Sequence, residues 1–232
     1  MSDPTPAGNR QYNINVILGI LGIFTLGVFL DWYPKVILGL PLPKDTVLSS
    51  AVSAVWQAGA TIVIPCLWAM RRLGLGLRDF GLTTHRLGIT LLYGCVLYSL
   101  ALAAFIHCSA DPLISNHAVR WAPLSEAIQL TAVMGLIAAI TDITTRGFLL
   151  LTLSRYGPVW FAVVIQNLTW YLGHIHEINL LTGCLGYANA LGLTLTLGIL
   201  GDVIALKTRN VTGLAIAHIL LNVVLMIYIR QL

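Results

Sequence analysis

Three pairs of polar or aromatic side chains stand four residues apart inside otherwise apolar stretches: Asp142 with Arg146, Trp170 with His174, and His218 with Asn222. That spacing brings both members of a pair to one face of a helix. Asp142 and Arg146 can therefore form a charge-assisted ion pair, while the imidazoles are groups that exchange protons near neutral pH. An ionisable group in hydrocarbon costs about 2.5–3.5 kcal/mol on insertion scales, so each needs a partner or a purpose. Purely structural purposes exist: Asp142 with Arg146 as a clamp between helices, His218 with Asn222 as an interhelical hydrogen bond, His174 as a satisfied interior residue. All three pairs at compatible depths read instead as one polar site. His174 and His218 also offer two ligands to zinc, with Asp142 or His176 as a third, but zinc normally takes four. No metal or organic cofactor is expected, zinc at His174 and His218 being the alternative. The run His174-Ile175-His176-Glu177-Ile178-Asn179-Leu180 has Leu180 where an HExxH metalloprotease helix carries its second histidine.

The elements that must position these residues follow from composition. Of 232 residues, 57% are hydrophobic and 9% charged, and the mean hydropathy is +0.85. A soluble domain carries roughly a quarter charged residues, so a soluble enzyme is excluded. The expected fold is all-α, a multi-pass membrane bundle of about seven transmembrane helices near 14–30, 48–70, 87–107, 124–154, 158–175, 181–206 and 211–229. The chain reads as a single membrane-embedded domain over 1–232, with a polar tail at 1–13 and an uncleaved first span.

Alternating the spans puts Arg10, Arg71, Arg72, Arg78, Arg86, Arg155, Lys207 and Arg209 on one side, against Lys35, Lys44, Arg120 and Arg230 on the other. The more basic side is cytoplasmic, which places the N-terminus inside and the C-terminus outside. The basic loop from Arg71 to Arg86 is expected against anionic headgroups, and Asp31-Trp32-Tyr33-Pro34-Lys35 reads as an interfacial border. A net charge of +4 without a basic, aromatic-interleaved stripe gives no reason to expect nucleic acid. Cys66, Cys95, Cys108 and Cys184 are scattered without CxxC spacing and are expected to be inert thiols. The glycines and alanines of the sixth span, including Ala188 and Gly192 four apart, read as close helix contacts. A tight turn at Tyr156-Gly157-Pro158 would fold two spans into a hairpin, with Asp142 and His174 equally far from it.

Arg146-Gly147-Phe148-Leu149 preceded by an acid, Trp170 before His174, and Gly213-Leu214-Ala215-Ile216-Ala217-His218 followed by Asn222 resemble the CAAX protease and bacteriocin-processing family of intramembrane proteases. The resemblance runs from Glu126 to Leu232, with the family-like core at 124–232. It implies an endopeptidase cleaving a peptide or prenylated protein tail in a cytoplasm-facing polar cavity. In that family the first glutamate of a Glu-Glu-x-x-x-Arg motif and two histidines activate water, and an asparagine stabilises the oxyanion. His174 and His218 would be the histidines, Asn222 the oxyanion donor and Asp142 the second acid, paired with Arg146. Trp170 would replace a phenylalanine.

The first, water-activating glutamate is replaced by Thr141, whose hydroxyl is no general base near neutral pH. Three routes could restore the reaction: Asp142 turning into the site, Thr141 as nucleophile with His174 as base, or Glu177, three residues from His174 and on its face. Thr141, Trp170 and Glu177 are thus expected to touch substrate. The alternative is a catalytically silent relative that binds a peptide, a lipid or a partner complex. Expected partners are membrane lipid and a peptide or protein within the membrane. The family's usual distribution points to a bacterial cytoplasmic membrane.

Overall fold

The structure, a computed structural model, describes residues 10–32, 46–108 and 123–231. Lys35, Lys44, Arg120 and nearly all of the polar tail lie outside them. Among the described residues every regular element is helical. In chain order these are α1 (Arg10–Trp32), α2 (Thr46–Ala58), a π turn (Gly59–Val63), α3 (Ile64–Leu73), a 3₁₀ turn (Leu77–Phe80), α4 (Leu87–His107) and α5 (Leu124–Asp142). A second π segment (Ile143–Leu150) then leads into α6 (Leu151–Tyr156), α7 (Val159–Gly173), α8 (Ile175–Leu185), α9 (Tyr187–Thr208) and α10 (Thr212–Gln231).

Five stretches are long and apolar enough to cross a membrane: Tyr12–Trp32, Val47–Leu73, Leu87–His107, Leu124–Tyr156 and Tyr187–Thr208. The shorter apolar helices Val159–Gly173 and Thr212–Tyr228 pack with them. The all-α multi-pass bundle is therefore as expected, with one difference. The sixth span starts at Tyr187 instead of 181, because residues 175–185 form the separate helix α8. Two backbone breaks cause this. His174 leaves helical geometry at φ −116°, and Gly186 takes φ +77°, a value that suits a residue without Cβ. The polar run from His174 to Asn179 already ends the fifth span at 175, but the break at Gly186 does not interrupt the apolar pattern, so window hydropathy runs through it.

Helix α10 packs against α4 and α5, while α9 packs against α4, α7 and α8. The main apolar core lies toward the basic end and includes Phe80, Phe148, Leu149, Leu150, Leu151 and Val211. Part of the basic loop is a plug folded under that core. Phe80 is fully buried, 6.2 Å from the Phe148 ring. Val211 N donates to Gly81 O at 2.8 Å, and Asn210 Nδ2 donates to the carbonyls of Thr83 (2.8 Å) and His85 (2.5 Å). Arg155 pairs with Asp79 at 2.5 Å.

A second apolar cluster, including Phe105, Ile178 and Leu181, lies at the opposite end. There Cys108 and Cys184 form a disulfide, which corrects the expectation of four inert thiols; Cys66 and Cys95 are free. The correction has a simple cause: the 76 residues between them hide that α4 and α8 end side by side.

Candidate active site

Asp142 ends α5 just where the π segment begins. Its carboxylate is fully buried and forms the expected ion pair with Arg146. Two further groups hold it. Tyr98 Oη donates to both carboxylate oxygens at 3.2 and 3.1 Å, and His218 Nδ1 lies 3.1 Å from Oδ2. A carboxylate here only accepts, so His218 Nδ1 carries the hydrogen and Nε2 of the neutral ring is left with its lone pair. His174 Nδ1 lies 2.8 Å from the Trp170 carbonyl, which by the same logic leaves its Nε2 free to accept. The two imidazole rings are stacked with centroids 6.2 Å apart.

Arg146 is fully buried yet satisfied by charge on two sides. Besides Asp142 it faces Asp202, with Nε 3.4 Å from Oδ1. Its Cζ sits 3.9 Å over the Trp170 ring, a cation–π contact. Asp202 in turn accepts from Asn167 Nδ2 at 2.7 Å. The close helix contact in α9 falls at Gly198 and Gly201, where an added Cβ would collide with Asn167 and with the Arg146 guanidinium. The close contacts expected of the small residues in this span thus fall at Gly198 and Gly201, whereas around Gly192 a Cβ would meet nothing within 4 Å.

Beside this cluster lies a cavity of about 200 Å³. Tyr98, Trp170, His174, Glu177, His218 and Asn222 are among its polar and aromatic lining residues, and most of the rest are leucine, phenylalanine and methionine side chains. Asn222 Nδ2 donates to the His218 carbonyl at 3.0 Å, which leaves the second amide hydrogen uncommitted by that bond. Glu177 Oε2 is buried and has no hydrogen-bond partner among the described residues.

Thus His174, His218, Asn222, Trp170 and Glu177 meet at one cavity, with Asp142 and Arg146 directly behind it. Thr141 stands apart. Its hydroxyl donates to the Ile137 carbonyl at 3.0 Å, and it is not in the cavity lining. Three participants escaped sequence reading: Tyr98, Asn167 and Asp202. Asp202 had a usable signal, an acid inside an apolar span. A buried tyrosine gives none. Among the described residues no group of three or more His, Cys, Asp or Glu side chains is placed to hold a metal.

The fold defines an integral multi-pass membrane protein, and its polar cluster lies inside the bundle. Residues 123–224 match the family model described as Type II CAAX prenyl endopeptidase Rce1-like. Over that segment, somewhat under half of the chain, the sequence is similar to that family, which supports a CAAX-protease-like intramembrane endopeptidase at family level. The matched stretch holds Asp142, Arg146, His174, Glu177, Asp202, His218 and Asn222, whereas Tyr98 precedes it. No curated protein and no solved structure matches the chain.

Proposed function

We propose that the chain is an intramembrane endopeptidase that hydrolyses an apolar peptide or prenylated protein tail, with Glu177 in the role of the missing acid. The observation that carries this reading is the meeting of Glu177, His174, His218 and Asn222 on one cavity. Asp142 is engaged by Arg146, Tyr98 and His218, so it serves as a positioning residue that fixes the His218 tautomer. Glu177, by contrast, has an unpartnered buried oxygen on the cavity side of the cluster.

In the proposed reaction a water bound between the imidazoles and Glu177 gives a proton to the carboxylate, and its oxygen attacks the scissile carbonyl carbon. The Asn222 amide hydrogen stabilises the tetrahedral oxyanion. Collapse breaks the C–N bond, and the proton held by Glu177 passes to the departing amine. Arg146 does not touch the substrate; it holds the Asp142 carboxylate in place.

The silent-relative reading has one observation in its favour: Thr141, which by the resemblance would take the place of the family's first glutamate, spends its hydroxyl on the backbone. Purified full-length protein in proteoliposomes, given prenylated tail peptides and a pool of apolar peptides analysed by mass spectrometry, separates the two. Cleavage by the natural chain that is lost in His218→Ala supports the enzyme. Cleavage seen only in Thr141→Glu supports the silent scaffold, and cleavage by neither rejects the peptidase. The proposed setting is a bacterial cytoplasmic membrane.

A further inference from the structure

We infer that the cavity faces the extracytoplasmic side of the membrane, and that its substrate is a peptide segment delivered from that side. The inference rests on the peptidase reading for the word substrate, but the sidedness stands on separate observations.

The first is where the cavity lies along the rods. On α4 it is lined by Tyr98, Ala101 and Phe105, in the half nearer His107. On the span Leu124–Tyr156 it takes Leu130 and Met134, in the half nearer Leu124, and on α9 Leu193 and Leu197, in the half nearer Tyr187. Helix α8, which contributes His176 and Glu177, sits wholly at this end, between the last residue of α7 and the first of α9. The other ends of these same rods carry Arg86, Arg155, Lys207 and Arg209. Basic residues beside short loops mark the cytoplasmic side. The cavity therefore occupies the half of the bundle away from the cytoplasm, opposite to the cytoplasm-facing chamber implied by the family resemblance.

The second observation is the plug. Between the polar cluster and the basic end lie Phe80, Phe148, Leu149, Leu150 and Val211, all fully buried. The loop that brings in Phe80 is fastened to the α9–α10 turn through Gly81, Thr83, His85 and Asn210. A peptide coming from the basic side would have to displace this whole core. From the other side it meets His176, which is exposed and lines the cavity.

The third is the Cys108–Cys184 disulfide at the cavity end, packed in one cluster with Phe105, Ile178 and Leu181. Disulfides persist in oxidising compartments and are rare on the cytosolic side. Charge, packing and redox chemistry thus agree without reference to catalysis. The substrate class that follows is an exported or membrane-anchored polypeptide whose apolar stretch enters from the outer leaflet.

The test uses the full chain in a bacterial inner membrane, with Cys95→Ser to remove the exposed free thiol, and a membrane-impermeant maleimide applied to intact spheroplasts. His176→Cys is expected to label at least tenfold more than Arg155→Cys before permeabilisation, and Arg155→Cys to label only afterwards. The reverse pattern overturns the inference. If His176→Cys fails to fold, Cys108→Ser supplies the same reading, because it frees the exposed Cys184 thiol: labelling from outside supports an outward cavity, and labelling only after permeabilisation overturns it. Labelling needs no turnover. An outward but inactive protein would sink the peptidase reading alone, and an active protein with an inward His176 would sink this one alone.

Discussion

Asp142 and Glu177 are two carboxylates with opposite surroundings, and that contrast decides which one can move a proton. Asp142 is enclosed by a guanidinium, a phenol and an imidazole, whereas one Glu177 oxygen is buried without a partner among the described residues. Replacing Glu177 by Gln keeps its shape but removes its capacity as a base. We expect turnover to fall by about 10²- to 10⁴-fold, with an unchanged thermal midpoint because no bond is lost; equal activity in the variant would remove Glu177 from the mechanism. Asp142→Asn should behave differently. It leaves the buried Arg146 with Asp202 as its remaining acid and allows the His218 ring to change tautomer. Breaking a buried pair from one side costs about 3–5 kcal/mol, so thermal unfolding in detergent should shift down together with activity. Loss of activity without loss of stability would instead make Asp142 the reacting acid. Most of this cluster was legible in the sequence. Asp142, Arg146, His174 and His218 are ionisable groups that hydrocarbon does not tolerate unpaired, and Glu177 shares a face with His174. Tyr98 was not legible, since a tyrosine in an apolar run signals neither burial nor a partner across 44 residues.

Helix α9 shows how one element sets the geometry of a site without supplying a reacting group. Gly198 and Gly201 let it approach α7 and the π segment until Asp202 reaches both Arg146 and Asn167. A methyl group at position 201 would land on the guanidinium. That group cannot retreat, because two acids and the Trp170 ring fix it. Gly201→Ala is therefore expected to destabilise the protein by about 1–3 kcal/mol, read as a lowered thermal midpoint. Gly192→Ala, beside open space, should leave it within about 0.5 kcal/mol. An equal effect at the two positions would show that α9 does not pack as described. The contrast also explains a limit of sequence reading. Small residues announce that a helix can come close, but not which of several turns does so. Likewise, the π segment at Ile143–Leu150 changes the helix phase without changing its composition, so spans were legible while the faces beyond Asp142 were not.

Across the whole molecule the two ends of the bundle are held by different means. The basic end is shut by side-chain packing and backbone bonds from the loop that carries Phe80, whereas at the cavity end a covalent link fastens α4 to α8. The link spans 76 residues, and for a free chain a loop of that length corresponds to about 4.5 kcal/mol of closure entropy. Rods already confined to a membrane have less freedom to lose, so the stabilisation in place is smaller than this. It is also local: α8 is short, and Cys184 near its end is covalently tied to α4. Reduction of the full chain should therefore lower the thermal midpoint modestly and raise backbone hydrogen exchange in residues 175–185. Exchange in α6, which packs in the basic-end core, should stay unchanged. Because His176 and Glu177 ride on α8, reduction should also slow peptide cleavage by weakening their placement, an effect that reoxidation reverses. Uniform loosening of both ends would mean that the bundle yields as one unit and that the disulfide does not specifically hold the cavity wall.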